Sequence, residues 1–454
     1  MKIIYVVNNP DFLISHRHEI CLEAQKNYSE IHIICSNNNS VSYLKSLGFH
    51  VHIIDFWNDN INPLSEINKF FKLIFYVFKY TFKISFFLFI ITKFTSMNLK
   101  TYHVIGLMSG TSLDGIDLVY VKFNQHFISD FTIINAATIP YSKKWKEVLQ
   151  NAILLSKEEL EKLDISYGEL LGNVISNFIQ KFNIKCIDFI ASHGHTVKHL
   201  PTEGITLQIG NGNVLSSFTN QKVICDFRSQ DVALGGQGAP LVPIGDQLLF
   251  SNYEFCLNLG GFSNVSFFKD EKRIAFDICP VNIVLNHYVQ KLGFEYDNDG
   301  EIARNSLLHQ PLLDELNTLR FYTLKAPKSL GLEWVQSNIF PVINSYKLKI
   351  EIILRTFVEH IAIQIGNVIK DNNSVLITGG GAFNSFLIER ISFHANVSLR
   401  LPDKQLIDYK EALIFAFLGL LRLQNKINCL QSVTGASKNH SSGVIYSKKK
   451  SFKS

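Results

Sequence analysis

Three glycine-framed turns constrain this chain more than any other feature, because each follows an apolar run of strand character. The first comes after His103–Leu107 and holds Gly110, Thr111, Ser112, Leu113, Asp114, Gly115, Ile116 and Asp117. The second, Gly260 and Gly261, separates Asn258 and Leu259 from Phe262–Val265. The third, Gly379, Gly380 and Gly381, follows Leu376–Thr378 and leads to Asn384 and a helical stretch. Glycine serves where the backbone must turn sharply or let another group approach closely. Bare N–H groups and hydroxyls in such turns contact phosphate oxygens, and a following helix presents its N-terminus to them. Asp114 or Asp117 offers hard oxygen for Mg²⁺, directly or through water. Taken singly, each turn also reads as a hairpin whose small residues merely reverse the chain. None fits the Walker or dinucleotide-binding glycine pattern.

The 454 residues are about three times the roughly 150-residue norm for a domain, so two or three domains are expected. Hydrophobic residues at 46% and charged residues at 18% exclude a largely disordered chain. A net charge of +5 gives no electrostatic case for nucleic acid. Seven cysteines without a C-x-x-C pair fit thiols in a reducing cytoplasm. Met1–Val7 is too short an apolar run for a signal peptide.

Residues 1–66 alternate strand and helix: Ile3–Val7, a helix from about Ser15 to Lys26, Ile31–Cys35, a short helix, and His50–Ile54. That order predicts a partial Rossmann-like β-α-β extension. Asn8–Pro10, Phe12-Leu13 and Ser15–Arg17 resemble the start of the N-terminal domain of GT-B-type glycosyltransferases, without that fold's second half. Residues 67–99 form a basic, aromatic-rich helix or junction. Lys83 and Lys93 leave only nine residues between them, against the ~20 a spanning helix needs. Membrane contact by 67–96 is a surface-helix alternative and not the favoured reading. Residues 100–250 and 251–454 read as two α/β lobes, with strands at Tyr102–Leu107, Leu118–Phe123, Ile187–Ile190, Val223–Cys225, Phe255–Leu259, Val265–Phe268 and Val375–Thr378, and long helices at Lys157–Ile184 and Ile350–Ile369.

The order of the turns resembles the phosphate-1, phosphate-2 and adenosine elements of the two-lobed actin/hexokinase-like (ribonuclease H-like) ATPase superfold. Met108–Asp117, Ser192–Thr196, Leu207–Asn211, Asp226–Asp231, Gly235–Pro243, Pro327–Ser329, Gly379–Asn384, Lys410–Ala412 and Val433–Ala436 together resemble the anhydro-N-acetylmuramic acid kinase family. The resemblance implies an ATP- and Mg²⁺-dependent, cytoplasmic, homodimeric enzyme of peptidoglycan recycling. Such an enzyme opens the 1,6-anhydro ring of its amino-sugar substrate with water and phosphorylates O6. It implies Asp277 as the base, in Phe276–Asn282. There the family pattern F-D-x-G-P-G-N is altered by Cys279 and Val281, which puts ligand contacts of that turn in question. Asp226, Arg228 and Asp231 are candidate substrate contacts, Arg228 because its fork suits a lactyl carboxylate; an internal Asp–Arg pair is the alternative. Asp231 is a second candidate base. His193 and His195 read as hydrogen-bonded loop residues. Lys328 and Glu333 close over the substrate or sit in solvent. Glu411 reads as a charge favouring a helix N-terminus. The rival function is a catalytically impaired nucleotide-binding module with a membrane-associating N-terminal extension.

Overall fold

The computed structural model describes residues 2–6, 30–35, 40–54, 101–110, 113–124, 130–371, 374–397, 399 and 401–447. The chain separates into two units, Met1–Asn98 and Leu99–Ser454. The expected helix at 15–26 and the segment 67–96 lie outside the described residues.

In the first unit β1 (Lys2–Val6), β2 (Glu30–Cys35) and β3 (His50–Ile53) pair in parallel in the order β1-β2-β3. Ile31–Cys35 are all buried, the pattern of a strand covered on both faces.

The second unit contains β4 (Thr101–Met108), β5 (Gly115–Asn124), β6 (Phe131–Pro140), β7 (Phe189–Ser192), β8 (His195–Leu200), β9 (Ile205–Ile209), β10 (Val223–Cys225), β11 (Phe255–Leu259), β12 (Phe262–Lys269), β13 (Lys272–Pro280), β14 (Val375–Thr378) and β15 (Val444–Tyr446). One sheet runs β15-β10-β7-β4-β5-β6 and another β13-β12-β11-β14. Both contain the same core. An antiparallel meander (β4-β5-β6 or β11-β12-β13) takes a parallel fourth strand, β7 or β14, beside its first strand. The unit is thus built twice from one plan. β8 and β9 form a separate hairpin.

Helices cover the sheets in alternate layers. Lys157–Lys181 opens with a capping box, Ser156 with Glu159, and packs Leu163, Tyr167, Leu171, Ile175 and Phe178 on one face of the first sheet. The other face is covered by the helix Lys404–Leu423, whose core also takes in Cys256 of β11 and Leu376 of β14. Gly106 permits this packing, since a side chain there would run into the Ala412 carbonyl. The second sheet buries its far face under Asn282–Val289 and Ile350–Ile369. Among the described residues Ile350–Ile369 is the one helix long and apolar enough to cross a membrane, and 72% of its apolar window is buried in this core. Helix Lys404–Leu423 and β15 both serve the first sheet, so the first lobe draws on both ends of the unit.

Candidate active site

Topology gathers the glycine turns and most of the candidate side chains at one edge of each sheet. β4, β7 and β10 are mutually parallel, so Ser109, His193 and Asp226, which follow them, share an edge. Asp117 begins β5, antiparallel to β4, and falls at that edge too. In the second sheet β11, β13 and β14 run the same way, so Gly260, Asp277 and Gly379 leave together.

The second-lobe group is tightly interlocked. Val281 and Ile283 N–H donate to the Gly261 carbonyl (2.8 and 3.2 Å) and Asn282 N–H to that of Gly260 (3.3 Å). The Asn282 amide donates to the Leu259 carbonyl (3.3 Å). Gly379 has φ +86°, and a Cβ there would meet Asn258 Oδ1 at 2.7 Å and the Leu259 carbonyl carbon at 2.8 Å. Gly261 and Gly380 are exposed and would meet nothing closer than 3.8 Å, which leaves backbone open to a ligand. Asn384 instead caps the next helix, its Oδ1 accepting from Leu387 N–H (2.9 Å).

Asp277 is half-buried in β13, opposite Asn264. Its N–H donates to the Lys328 carbonyl (3.1 Å), and Leu330 N–H donates to its Oδ2 (2.8 Å). Among the described residues no donor reaches Oδ1. Burial pushes its pKa up, opposed by the Leu330 hydrogen bond. Cys279 and Val281 have no exposed surface and lie in the second-lobe core, and Ser263 Oγ lies 3.2 Å from Cys279 Sγ. Val281 has φ −128°, which needs no glycine.

The first-lobe group is acidic. Thr111 and Ser112 lie outside the described residues; Leu113 and Ile116 are buried in the core, and Asp114 is exposed. Gly110 accepts from Leu113 N–H, and Gly115 sits too close to Ile139 of β6 for any side chain. Asp117 Oδ1 accepts from Thr138 Oγ1 (2.6 Å). Burial raises its pKa, offset by Thr138, and Asp408 and Asp114 raise it further. Glu411 is exposed, yet surrounding protein pushes its carboxyl up, with Lys410 and Arg228 opposing and Asp117 adding. The helix begins at Lys404, so Glu411 lies two turns in and its charge does not serve the helix end, contrary to the sequence reading. Its neighbour Lys410 points the other way, into a buried cluster: 2.7 Å from Asp246, which also takes the Ser266 hydroxyl and lies 3.9 Å from Arg273.

Ser109 Oγ and His193 Nδ1 both donate to the Gly194 carbonyl (2.7 and 2.8 Å). Because a carbonyl only accepts, Nδ1 carries the ring proton and Nε2 is free to accept from Arg228 (2.8 Å). Burial, with Arg228 next, holds the His193 pKa well below normal, so the ring is neutral. Arg228 Nη1 donates to the Gly238 carbonyl (2.6 Å), fixing the guanidinium within electrostatic reach of Glu411. A chain of hydrogen bonds therefore links the first glycine turn to the Arg228 loop. Asp226, at φ +56°, accepts from Ser229 N–H (3.2 Å). Asp231 has no exposure; Gly238 N–H (2.7 Å) and Thr434 Oγ1 (2.7 Å) occupy its two oxygens. Sequence spacing gave no sign that Asp231 faces inward or that Glu411 faces out.

Two sheets of one topology, with glycine turns at matching edges, define the two-lobed actin/hexokinase-like ATPase fold, here arranged for phosphoryl transfer. The anhydro-N-acetylmuramic acid kinase family matches residues 102–448. The anhydro-N-acetylmuramic acid kinase of Haemophilus influenzae is 36% identical over 386 residues, covering 78% of this chain and 100% of the relative. That of Aliivibrio fischeri is 34% identical over 367 residues, covering 75% and 98%. Among solved structures the chain is similar to the activator of 2-hydroxyisocaproyl-CoA dehydratase from Clostridium difficile with bound ADPNP, 14% identical, TM-score 0.37, covering 71% of this chain and 97% of that one. The chain belongs to the anhydro-N-acetylmuramic acid kinase family and is an ATP-using kinase of 1,6-anhydro-N-acetylmuramic acid in peptidoglycan recycling.

Proposed function

We propose that Asp277 is the general base that draws a proton from water as it attacks the anomeric carbon of the anhydro-sugar. The C1–O6 bond breaks, O6 takes the γ-phosphoryl group, and ADP leaves. The observation that carries this is the Asp277 carboxylate: held, among the described residues, through Oδ2 alone, half-buried, and made more basic by burial. A base with pKa moved toward the working pH is the more effective one. The inward packing of Cys279 and Val281 supports an intact Asp277 site and weighs against the impaired-module alternative.

Backbone at Gly110, Gly260 and Gly261 faces phosphate, Gly379–Gly381 lie under the adenosine, and Arg228 meets the lactyl carboxylate with Asp226 and Asp231 holding its loop. Thr111 and Ser112 supply hydroxyls to the phosphates. Asp114, Asp117 and Glu411 form a carboxylate set whose mutual repulsion and hard oxygens fit Mg²⁺. Asp117 and Asp114 would hold it, neutralising phosphate charge. The enzyme acts in the cytoplasm as a homodimer, and residues 1–66 are a partial glycosyltransferase-like piece without that chemistry.

The test is ADP release by the whole chain with Mg-ATP and 1,6-anhydro-N-acetylmuramic acid, run in ¹⁸O-water. Release that needs the sugar, with the label on C1 of the product, is expected. Sugar-independent release, or a label on the phosphate, would overturn the reading.

A further inference from the structure

We propose that Asp231, Cys429 and His440 form a structural site for one divalent zinc ion that ties the C-terminal segment to the Arg228 loop. All three are buried, at 0%, 2% and 6% exposure. One carboxylate oxygen, the thiol sulfur and one ring nitrogen lie within 4.8 Å of one another.

The histidine decides the case. Its Nδ1 lies 3.1 Å from the Lys438 carbonyl, which only accepts, so Nδ1 carries a proton. In the neutral ring Nε2 then presents a lone pair. Among the described residues it is buried without a hydrogen-bond partner, and it stands 3.5 Å from Asp231 Oδ1. A lone pair facing an anionic oxygen is repulsive unless a cation lies between them or the ring takes a second proton. Two ligands about 2.0–2.1 Å from a tetrahedral zinc stand about 3.3 Å apart, close to the spacing seen. Mixed nitrogen, sulfur and oxygen donors suit zinc over magnesium. The outer contacts are those of a metal site: a ligand histidine donating its other nitrogen to a carbonyl, and a carboxylate fixed by Gly238 N–H and Thr434 Oγ1. Thiolate and carboxylate would cancel the ion's charge, which a buried site requires. Burial pushes the Cys429 thiol up to about 12, so metal uptake releases a proton. Three protein donors leave a fourth place for water.

The same segments already touch through Gln237 N–H to the Thr434 carbonyl (2.7 Å) and Ser437 N–H to that of Leu234 (3.0 Å). The ion would make that seam rigid beside Arg228.

The test is Co²⁺ titration of the chelator-treated whole chain under reducing conditions. A thiolate-to-cobalt charge-transfer band saturating at one equivalent and displaced by Zn²⁺ is expected, together with a rise in Tm on zinc addition. Cys429→Ser and His440→Gln should each abolish the band and weaken zinc binding by about tenfold or more. Cys186→Ser, in the surface group His103, Cys186 and Asp188, should leave it unchanged. No thiolate band in the parent chain overturns the proposal in favour of a protonated His440 paired with Asp231. A band that survives both buried-site variants, or is lost with Cys186, overturns it as well.

Discussion

Glu359 joins the helix Ile350–Ile369 to Ser385–Ala395, the helix that follows the third glycine turn. Arg355 (2.6 Å), Arg390 (2.7 and 2.9 Å) and His394 (2.5 Å) all meet its carboxylate. Burial alone would raise its pKa, but hydrogen bonds from Arg390, His394 and Arg355 outweigh burial and hold it at about 2 against an ordinary 4.5. At about 1.36 kcal/mol per pH unit, that difference corresponds to about 3 kcal/mol of stability. Because the folded pKa is depressed, the stabilisation is fully present above 4.5 and is lost as pH falls toward 2. By linkage, about 2 kcal/mol of it is gone at about pH 3. Glu359→Gln keeps the shape and removes the charge. Thermal melting followed by circular dichroism should show Tm lower by roughly 4 °C at neutral pH, from about 2.1 cal/mol/K per residue over the Leu99–Ser454 unit. The gap between parent and variant should narrow steadily as the solution is acidified below the ordinary glutamate range. A gap under about 1 kcal/mol, in the range of an exposed pair, or one that stays constant with pH, would refute the argument.

Asp277→Asn should lower kcat by about 10²–10⁴ and leave the KM for ATP nearly unchanged, as removal of a general base does. In the parent enzyme kcat/KM should fall as acid protonates Asp277, with a midpoint above the ordinary 3.8 because burial raises that pKa; a midpoint at or below 3.8 contradicts the assignment. Gly379→Ala forces a left-handed φ of +86° and a clash with Asn258 and Leu259. At about 1–2 kcal/mol for the conformation alone, the KM for ATP should rise several-fold while that for the sugar holds. Arg228→Lys retains charge but loses the fork, so the KM for the sugar should rise by about tenfold or more; an unchanged KM removes Arg228 from the carboxylate.

The strands around the glycine turns were legible because β4, β10, β11 and β14 are apolar runs buried on both faces. β6 was not, since its residues alternate between half-buried and exposed along a sheet edge. Asp277 and Arg228 stood out through neighbours in the chain. Glu411 did not, because its position depends on where a helix starts, a boundary set by Asp403 capping Leu406 N–H (2.8 Å). Nor did the inward turn of Asp231, which depends on Thr434, 203 residues away. Contacts across such separations leave no periodicity to read.

The first lobe's dependence on both ends of its unit also orders its birth on the ribosome. The second sheet and the helices on its far face lie within residues 255–397, with Ile407 the one later residue buried in that core. Those helices can pack on that face as soon as the stretch emerges, since domains fold as units during synthesis. The first sheet is translated earlier but lacks β15 and its covering helix until the last fifty residues appear. The half made first must therefore finish last, and a chain stopped near residue 400 would leave both sheets open on the face that the helix Lys404–Leu423 covers.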